Sequence, residues 1–205
     1  MYNNNQDNLL DLNQLNYSIM KVLYTWLILL IPFLSFSQYT YIPDDNFEQA
    51  LIDLGYDDVL DDSVLTVNIN IILILNIEDQ GISDLTGIEG FTALQVLNCS
   101  NNDLSSADFS NNPILSSLDI SDNYNLAEIE LSNNYFLTTF IGNGLNILAQ
   151  IDLTNNDSLV NFSINNSEVV QIDLSNKPNL YEVNICSFNN LFTGGFMAWN
   201  LNRMG

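Results

Sequence analysis

A period of 21 to 22 residues constrains this chain more than any other feature of its sequence. One unit of this length is too short to enclose a core of its own, so successive units must stack and share one. The sequence therefore predicts a solenoid built from coils of nearly equal length. The residues that mark the same point in successive units are Ile72, Leu94, Leu115, Leu137, Leu159 and Leu180.

Two short extended segments are predicted in each unit. In the first, apolar residues follow the anchoring leucine three and five places later, as Leu118 and Ile120 follow Leu115. This alternation is typical of a strand with one buried face. The second segment alternates aliphatic residues with acids or Gln and ends in an Asn-rich corner. Its copies read EIELSNN from Glu128, QIDLTNN from Gln150 and QIDLSNKP from Gln171.

The Asn residues at the corners have a structural explanation. A tight corner leaves backbone N–H and C=O groups unpaired inside the coil, and an Asn amide can donate and accept at once. Asn102 and Asn123 stand eight residues after their anchoring leucines, where such an amide is needed. Other units depart from this pattern, and irregular turns are predicted there. The replacements are Gln80, Leu145, Ser167 and Phe188.

This pattern resembles the leucine-rich repeats of secreted bacterial proteins, most closely the short repeats of the internalin-like class. The resemblance covers residues 72–191 in about six units. The segment IPDDNFEQAL, residues 42–51, is similar to the N-terminal module of such proteins. The resemblance implies a leucine-rich-repeat solenoid with a parallel β-sheet on its concave face. It also implies short extended or 3₁₀ segments on the convex face and a small N-terminal helical cap.

The most apolar run of the chain lies near its N-terminus. Residues 22–36 form this run and follow the single basic residue Lys21. A bilayer-spanning helix needs about 20 apolar residues, and this shorter run has the length of a signal-peptide core. We therefore expect residues 20–37 to be a signal peptide. A buried core helix or an uncleaved anchor is the alternative.

Small residues indicate where that signal peptide would be cut. Ser35 and Ser37 stand at the −3 and −1 positions of a cleavage before Gln38. Residues 1–19 are polar and rich in Asn, and are expected to be an upstream extension from a start codon assigned too early. The mature protein is then expected to be secreted or at the cell surface, with no membrane span.

Residues 38–71 lack the repeat and are expected to cap the first coil with a helix, since its core would otherwise be exposed. A residue between 44 and 46 is a suitable N-cap, and Gly55 is a suitable C-terminal end. The apolar side of this helix is predicted to consist of Phe47, Ala50, Leu51 and Leu54.

An acidic cluster follows the predicted helix. Carboxylate oxygens of this kind can bind Ca²⁺, but the segment YDDVLDD lacks the glycine and the spacing of an EF-hand. A solvated acidic turn is therefore the preferred interpretation, and a calcium site is the weaker one. The carboxylates concerned are those of Asp57, Asp58, Asp61 and Asp62.

The charge of the chain excludes several partners. It contains 3 Lys and Arg against 25 Asp and Glu, for a formal net charge of −22. Nucleic-acid phosphates and anionic lipids would repel such a chain. Apolar residues make up 47% of the sequence, which is enough to build a core. We therefore expect a folded protein that binds no nucleic acid.

Catalysis is disfavoured. The chain has no His, which excludes Ser–His and Cys–His nucleophile pairs and imidazole metal ligands. Cys99 and Cys186 lie four coils apart, about 19 Å, which is too far for a disulfide. We expect no cofactor. Asp119 and Asp122 could mimic a glycosidase dyad, so a carbohydrate-active enzyme is the most distant alternative.

A binding role is the better hypothesis. In leucine-rich-repeat proteins the concave face usually contacts the partner through the side chains that point away from the core. Here those positions are rich in amides and hydroxyls, which suits hydrogen bonding to protein or glycan; a solvated face without a ligand is the alternative. The candidate binding residues are Asn76, Glu78, Asn98, Ser100, Asp119, Ser121, Thr139, Asn161, Ser163, Tyr181 and Asn184.

The repeat register is lost after Leu191. Residues 192–205 form an irregular apolar tail, which is expected to be either an aromatic plug over the last coil or the end of a truncated array. In the second case the chain would be a structural spacer, or a fragment of a larger cell-surface protein. This is the main alternative to a recognition module.

Overall fold

A computed structural model describes residues 17–24, 38–169 and 171–185. The chain divides into two compact units, Met1–Ser37 and Gln38–Gly205. In the first, residues 17–24 form helix α1. Among the described ranges, no helix is long and apolar enough to cross a membrane. Most of the predicted signal peptide, the tail after Leu191, Cys186 and Phe188 lie outside the described residues.

The second unit begins with a cap made of a two-stranded antiparallel sheet and two helices. Strand β1 (Tyr39–Tyr41) pairs antiparallel with strand β2 (Ser63–Leu65). Helix α2 (Asp45–Asp53) lies between them in sequence, and the one-turn helix α3 (Thr66–Ile69) follows β2. The sequence predicts α2 but not the two-stranded sheet, because strands of three residues are too short to show a clear period.

The C-terminal end of α2 confirms the prediction with one exception. Gly55 has φ +78°, a conformation that glycine adopts without strain, and it follows the last residue of the helix cap. Phe47, Ala50 and Leu51 are buried as predicted. Leu54 is 44% exposed, because it lies past the last turn of the helix that faces the core.

Asp44 caps α2 and links it to the first coil. Its Oδ1 accepts the backbone N–H groups of Asn46 and Phe47, each at 3.0 Å. Its Oδ2 accepts the hydroxyl of Ser83 at 2.7 Å and the N–H groups of Ser83 and Asp84 at 2.9 and 3.1 Å. Partial burial raises the pKa of this carboxyl, but the hydrogen bonds from Ser83, Phe47 and Asp84 outweigh it and lower the pKa overall.

We expect the stability of the cap to depend on the charge of Asp44. A pKa lowered by folding means that its stabilisation is complete above the unfolded pKa of 3.8 and is lost as the pH falls through the folded value. Asp44→Asn should cost about 0.5–1 kcal/mol at pH 7, a small value because the carboxylate is largely solvated. The variant should also flatten the dependence of the unfolding free energy on acidic pH.

Urea denaturation at pH 3, 5 and 7 measures both effects. Asp103→Asn is the matched control, since Asp103 is exposed and its carboxylate accepts no hydrogen bond from the described residues. If Asp44→Asn leaves the acid dependence as steep as in the parent, the role assigned to this carboxylate is wrong.

Ten short strands build the coils within residues 72–169 and 171–185. Those that follow the anchoring leucines are β3 (Ile74–Asn76), β4 (Val96–Asn98), β6 (Ser117–Asp119), β8 (Thr139–Ile141), β10 (Asn161–Ser163) and β12 (Glu182–Asn184). Those of the second segment are β5 (Ser106–Asp108), β7 (Glu128–Glu130), β9 (Gln150–Ile151) and β11 (Gln171–Ile172).

The first set forms one six-stranded sheet in which each coil pairs with the next. The order is β12-β10-β8-β6-β4-β3, and the pairs are parallel. Equivalent positions stand opposite each other, so that Leu97 pairs with Leu118 and Phe140 pairs with Phe162. This register confirms the predicted repeat. On the other side of the coils, β5 pairs with β7 and β9 pairs with β11, again in parallel.

One continuous apolar core runs through the stacked coils. The anchoring leucines Leu94, Leu115, Leu137 and Leu159 are fully buried, and Leu180 is packed against the core at the last described coil. Each anchor closes the same turn, in which its N–H donates to the carbonyl three residues earlier, as Leu115 does to Asn112. The leucines therefore occupy equivalent places in their coils, as the period predicts.

Buried Asn amides join successive coils on both sides of this core. Asn123 donates to the carbonyl oxygens of Cys99, Ile120 and Ser121 at 3.0, 3.0 and 3.3 Å. At the second corner, Asn134 donates to the carbonyl oxygens of Phe109 and Asn112 in the preceding coil at 3.0 and 2.8 Å. Asn112 and Asn156 repeat this arrangement. These contacts confirm that the corner Asn residues satisfy buried backbone groups.

The coil after Leu137 is regular, although its sequence predicts an irregular turn. Leu145 is fully buried where other coils have Asn, and its N–H donates to the hydroxyl of Ser167 at 3.1 Å. The hydroxyl of Ser167 lies 3.2 Å from the carbonyl oxygens of Gly142 and Asn165. A hydroxyl of the next coil therefore serves the backbone in place of the missing amide.

The first corner of each coil turns through a left-handed residue. Among L-residues, Asn and Asp tolerate this conformation best, and glycine adopts it readily. In the first four of these coils the N–H of the corner residue donates to the coil that follows, as Asn101 does to Ser121 at 2.8 Å and Asp122 to Asn143 at 2.7 Å. The corner residues, with φ between +52° and +70°, are Asp79, Asn101, Asp122, Gly144 and Asn166.

Candidate functional site

The concave face is defined here as the side of the six-stranded sheet that points away from the core. It carries the first and third side chains of each strand, while the middle side chain is buried or packed against the core. These side chains are Ile74, Asn76, Val96, Asn98, Ser117, Asp119, Thr139, Ile141, Asn161, Ser163, Glu182 and Asn184.

In-register parallel strands, buried leucines behind them and Asn amides in the corners decide the architecture. The fold is a leucine-rich-repeat solenoid. Its sheet brings residues that are 21 or 22 positions apart in sequence into straight columns. The concave face therefore presents one surface assembled from six coils.

Hydrogen bonds between neighbouring coils hold several side chains of the concave face. Asn98 donates to the carboxylate of Glu78 at 3.1 Å, and its own Oδ1 accepts the hydroxyl of Ser100 at 2.7 Å. Farther along the sheet, the Ser163 hydroxyl donates to Asn143 Oδ1 at 3.0 Å. A partner would therefore meet side chains that are already oriented, which lowers the entropy cost of binding.

The candidate binding residues differ in accessibility. Ser100 and Ser121 are only 8% and 7% exposed, so they offer a partner little surface and act within the sheet. Tyr181 is 89% exposed. The fully exposed polar candidates are Asn76, Glu78 and Asn184, and the half-buried ones are Asn98, Asp119, Thr139, Asn161 and Ser163.

Aliphatic residues at the N-terminal end of the sheet are missing from the candidate set. Leu73 and Ile74 are 50% and 66% exposed, and Val96 is half-buried beside Ile74. Exposed aliphatic side chains in contact with a polar surface are common where proteins bind one another. Their signal in the sequence is the run of residues 71–75, in which apolar residues also fill positions that other coils give to polar ones.

The concave face carries a negative charge. Asp119 and Glu182 lie on it, and Glu78 lies beside it, two residues after β3. Lys177 is the only Lys or Arg between Gln38 and Ile185 in the sequence, and it lies at the second corner. The face is therefore unsuited to an anionic ligand.

Lys177 stands where the preceding coils place a buried Asn. Its side chain is 2% exposed, and its Nζ lies 3.0 Å from Asp157 Oδ1. Hydrogen bonds from Thr154 lower the pKa of the neighbouring Asp152, with a smaller contribution from Lys177. The positive charge of Lys177 thus interacts with nearby carboxylates of the second corner.

Three residues that could take part in catalysis or redox chemistry have structural roles: Asp119, Asp122 and Cys99. Asp119 accepts the N–H of Ser121 at 3.0 Å, and Asp122 forms a left-handed corner. Cys99 is fully buried, and burial is the main cause that raises the pKa of its thiol. A raised pKa disfavours the thiolate, which is the reactive form.

The acidic cluster of the cap is organised around Glu48. The Glu48 side chain is fully buried and accepts the N–H groups of Asp61, Asp62 and Ser63 at 2.9–3.0 Å. Within residues 17–24, 38–169 and 171–185, no three Asp, Glu or Cys side chains converge as a metal ion requires. Asp57, Asp58, Asp61 and Asp62 therefore surround a turn that the carboxylate of Glu48 holds from inside.

The solved structures to which this chain is similar include three internalins of Listeria monocytogenes. The functional domain of InlJ is 18% identical, with 76% of this chain and 45% of that one covered at a TM-score of 0.38. InlF of strain 4b F2365 is 21% identical, with 70% and 49% covered at 0.46. InlC2 of that strain is 16% identical, with 74% and 99% covered at 0.30.

The chain spans about half the length of the first two of these structures. No protein-family model matches the sequence, and no curated protein does. The assignment of the fold therefore rests on the strand register, the buried leucines and the Asn contacts of this chain.

Proposed function

We propose that this leucine-rich-repeat protein is an exported, non-catalytic recognition or adhesion module that binds a protein or glycan through its concave face. The observation that carries the proposal is the continuity of that face: six in-register strands present amide, hydroxyl and carboxylate side chains that the core does not use. Export rests on the predicted signal peptide, residues 20–37, with cleavage before Gln38.

The chemistry of the face narrows the partner. Amides and hydroxyls of the central strands offer both donors and acceptors, and they are suited to the backbone of a protein or the hydroxyls of a sugar. Leu73 and Ile74 add an exposed aliphatic region at one end. Carboxylates without a neighbouring cation favour a partner that is neutral or basic at its contact surface.

A long cationic side chain in the middle of the face should weaken recognition strongly. We expect Ser117→Arg and Thr139→Arg, on neighbouring strands β6 and β8, each to weaken binding about tenfold or more, because each blocks the centre of the surface. The ligand would first be found by probing arrays of glycans and of purified extracellular proteins with the full chain. Isothermal titration would then compare the variants.

Asn125→Arg is the matched control, since Asn125 is exposed at a corner outside the six-stranded sheet and the substitution adds the same side chain. Binding that survives both concave-face substitutions would contradict the proposed site. A failure to find any ligand on either array would favour the alternative function, a spacer that presents another domain.

A further inference from the structure

A polar groove lies in the cap, outside the concave face. It has a volume of about 440 Å³ and runs between strand β1, helix α3 and the segment that contains Glu89 and Thr92. Glycine keeps this segment close to β1: a Cβ at Gly90 would lie 2.7 Å from Thr40 Oγ1. The groove is thus formed by segments that are about 50 residues apart in sequence, and a side chain at position 90 would collide with Thr40 and Ile69 and push these segments apart.

The wall formed by β1 offers backbone groups that no described residue pairs with. Thr66 N–H donates to Gln38 C=O, and Ile42 N–H donates to Asp62 C=O, so the even-numbered residues of β1 face β2. In an antiparallel pair the intervening residues point their N–H and C=O groups the other way. Tyr39 and Tyr41 therefore present theirs on the edge away from β2, and both residues line the groove.

The close approach of Gly87 covers part of this edge. A Cβ at Gly87 would lie 2.6 Å from the carbonyl oxygen of Tyr41, so that oxygen is shielded. The N–H and C=O of Tyr39 and the N–H of Tyr41 are the groups left for an incoming chain. The side chains of Tyr39 and Tyr41 are 59% and 60% exposed and flank it. Three backbone groups at this spacing match the hydrogen-bonding pattern of an extended peptide.

Electrostatics favours a basic residue in that peptide. Glu89 lines the groove, and its Oε2 accepts the N–H of Gly87 at 2.8 Å, which holds the carboxylate in place. The remaining polar lining residues are hydroxyls and amides, such as those of Thr92 and Gln38. No Lys or Arg lies near Glu89 in the sequence, since the first one after it is Lys177.

We propose that this groove binds an extended basic peptide segment of another protein, which adds as a strand to the free edge of β1 and places a Lys or Arg against Glu89. This second site is independent of the proposed function, since it uses no residue of the concave face. Substitutions at Ser117 or Thr139 should leave it intact.

The test uses the full chain and an acetylated octapeptide of lysine alternating with threonine or valine. Isothermal titration at about 0.15 M salt limits attraction by the net charge alone. The same peptide with every second backbone nitrogen methylated keeps its charges but loses the donors needed for strand pairing. We expect the methylated peptide to bind about tenfold more weakly than the parent.

Two variants test the groove itself. Tyr39→Pro removes one outward N–H, and an edge strand tolerates proline at such a position. Glu89→Gln removes the charge but keeps an acceptor for Gly87. Each should weaken peptide binding about threefold to tenfold. Tyr39→Ala keeps the N–H and so distinguishes the contribution of the side chain from that of the backbone. It also provides a second variant in case the proline disturbs the pairing of β1 with β2.

Glu128→Gln is the control for charge, because Glu128 is exposed on strand β7 and away from the cap. Equal binding of the methylated and parent peptides would overturn the proposal, as would equal losses in Glu89→Gln and Glu128→Gln. Binding of cellohexaose, a neutral sugar, in place of the peptide would also overturn it and assign the groove to glycans.

Discussion

Asn123→Leu is expected to lower the free energy of unfolding by about 3–5 kcal/mol. The Asn123 side chain is fully buried, and leucine has the same branched skeleton but is larger, so the loss would come from broken hydrogen bonds and crowding and not from a cavity. Its amide serves three carbonyl oxygens, and its Oδ1 accepts the N–H of Leu104 at 3.1 Å. Each buried backbone group left without a partner costs about 1–3 kcal/mol.

The coil after Leu137 explains why leucine is tolerated there and not at position 123. Leu145 has Ser167 in the next coil to serve the backbone around it. At position 123 the carbonyl oxygen of Cys99 would keep its bond from Asn102, and that of Ser121 its bond from the N–H of Asn101. Ile120 C=O and Leu104 N–H would lose the partner that the structure gives them, since the equivalent position of the next coil is Leu145. Thermal and urea denaturation would measure the loss, with the exposed Asn125→Leu as control. A loss below about 1 kcal/mol would show that the amide is dispensable.

Phe140→Ala should destabilise the protein by about 3–5 kcal/mol, the range for removing a buried aromatic side chain. Phe140 is fully buried and stacks on Phe162 of the next coil, with ring centroids 5.5 Å apart and an angle of 15° between the rings. The substitution therefore removes both packing and a contact between coils. Phe136→Ala is the control, because Phe136 is 60% exposed.

Gly142 makes this prediction more specific. A Cβ at Gly142 would lie 2.7 Å from the Phe140 ring and 2.9 Å from Leu145, so Gly142→Ala alone should cost about 1–3 kcal/mol by overpacking. In the background of Phe140→Leu, the smaller side chain leaves space, and the cost of Gly142→Ala should shrink. A double-mutant cycle measures this coupling. Strictly additive losses would mean that the missing Cβ is unrelated to Phe140.

The fold could be predicted from the sequence wherever a pattern repeats. The leucine period alone predicts the alignment of Leu94, Leu115 and Leu137, because each coil needs the same residue at the same point of a shared core. Gly142 and Leu145 break the pattern when their coil is considered alone. They fit because the Phe140 ring occupies the space that a Cβ at Gly142 would need, and because Ser167 of the next coil accepts the N–H of Leu145. Neither contact follows from the period.

The candidate site could be predicted only in part, for a similar reason. The alternation of the strands indicates which side chains point away from the core, and this identifies Asn76 or Asn184. It does not reveal that Ser100 and Ser121 turn into the sheet, because their burial depends on the corner that follows each strand. The groove in the cap joins Tyr39 to Glu89, and no local pattern connects residues so distant in sequence.

The Asn contacts at the second corner have a consequence for how such a gene can change. Each buried amide donates backwards, so that Asn134 depends on Asn112 and supports Asn156 in turn. A tandem duplication of one complete coil would supply new donors and acceptors to both of its neighbours. Insertions of other lengths would have to be absorbed within one turn, as the difference between coils of 21 and 22 residues is. Evolution can therefore lengthen or shorten this protein most easily in whole coils.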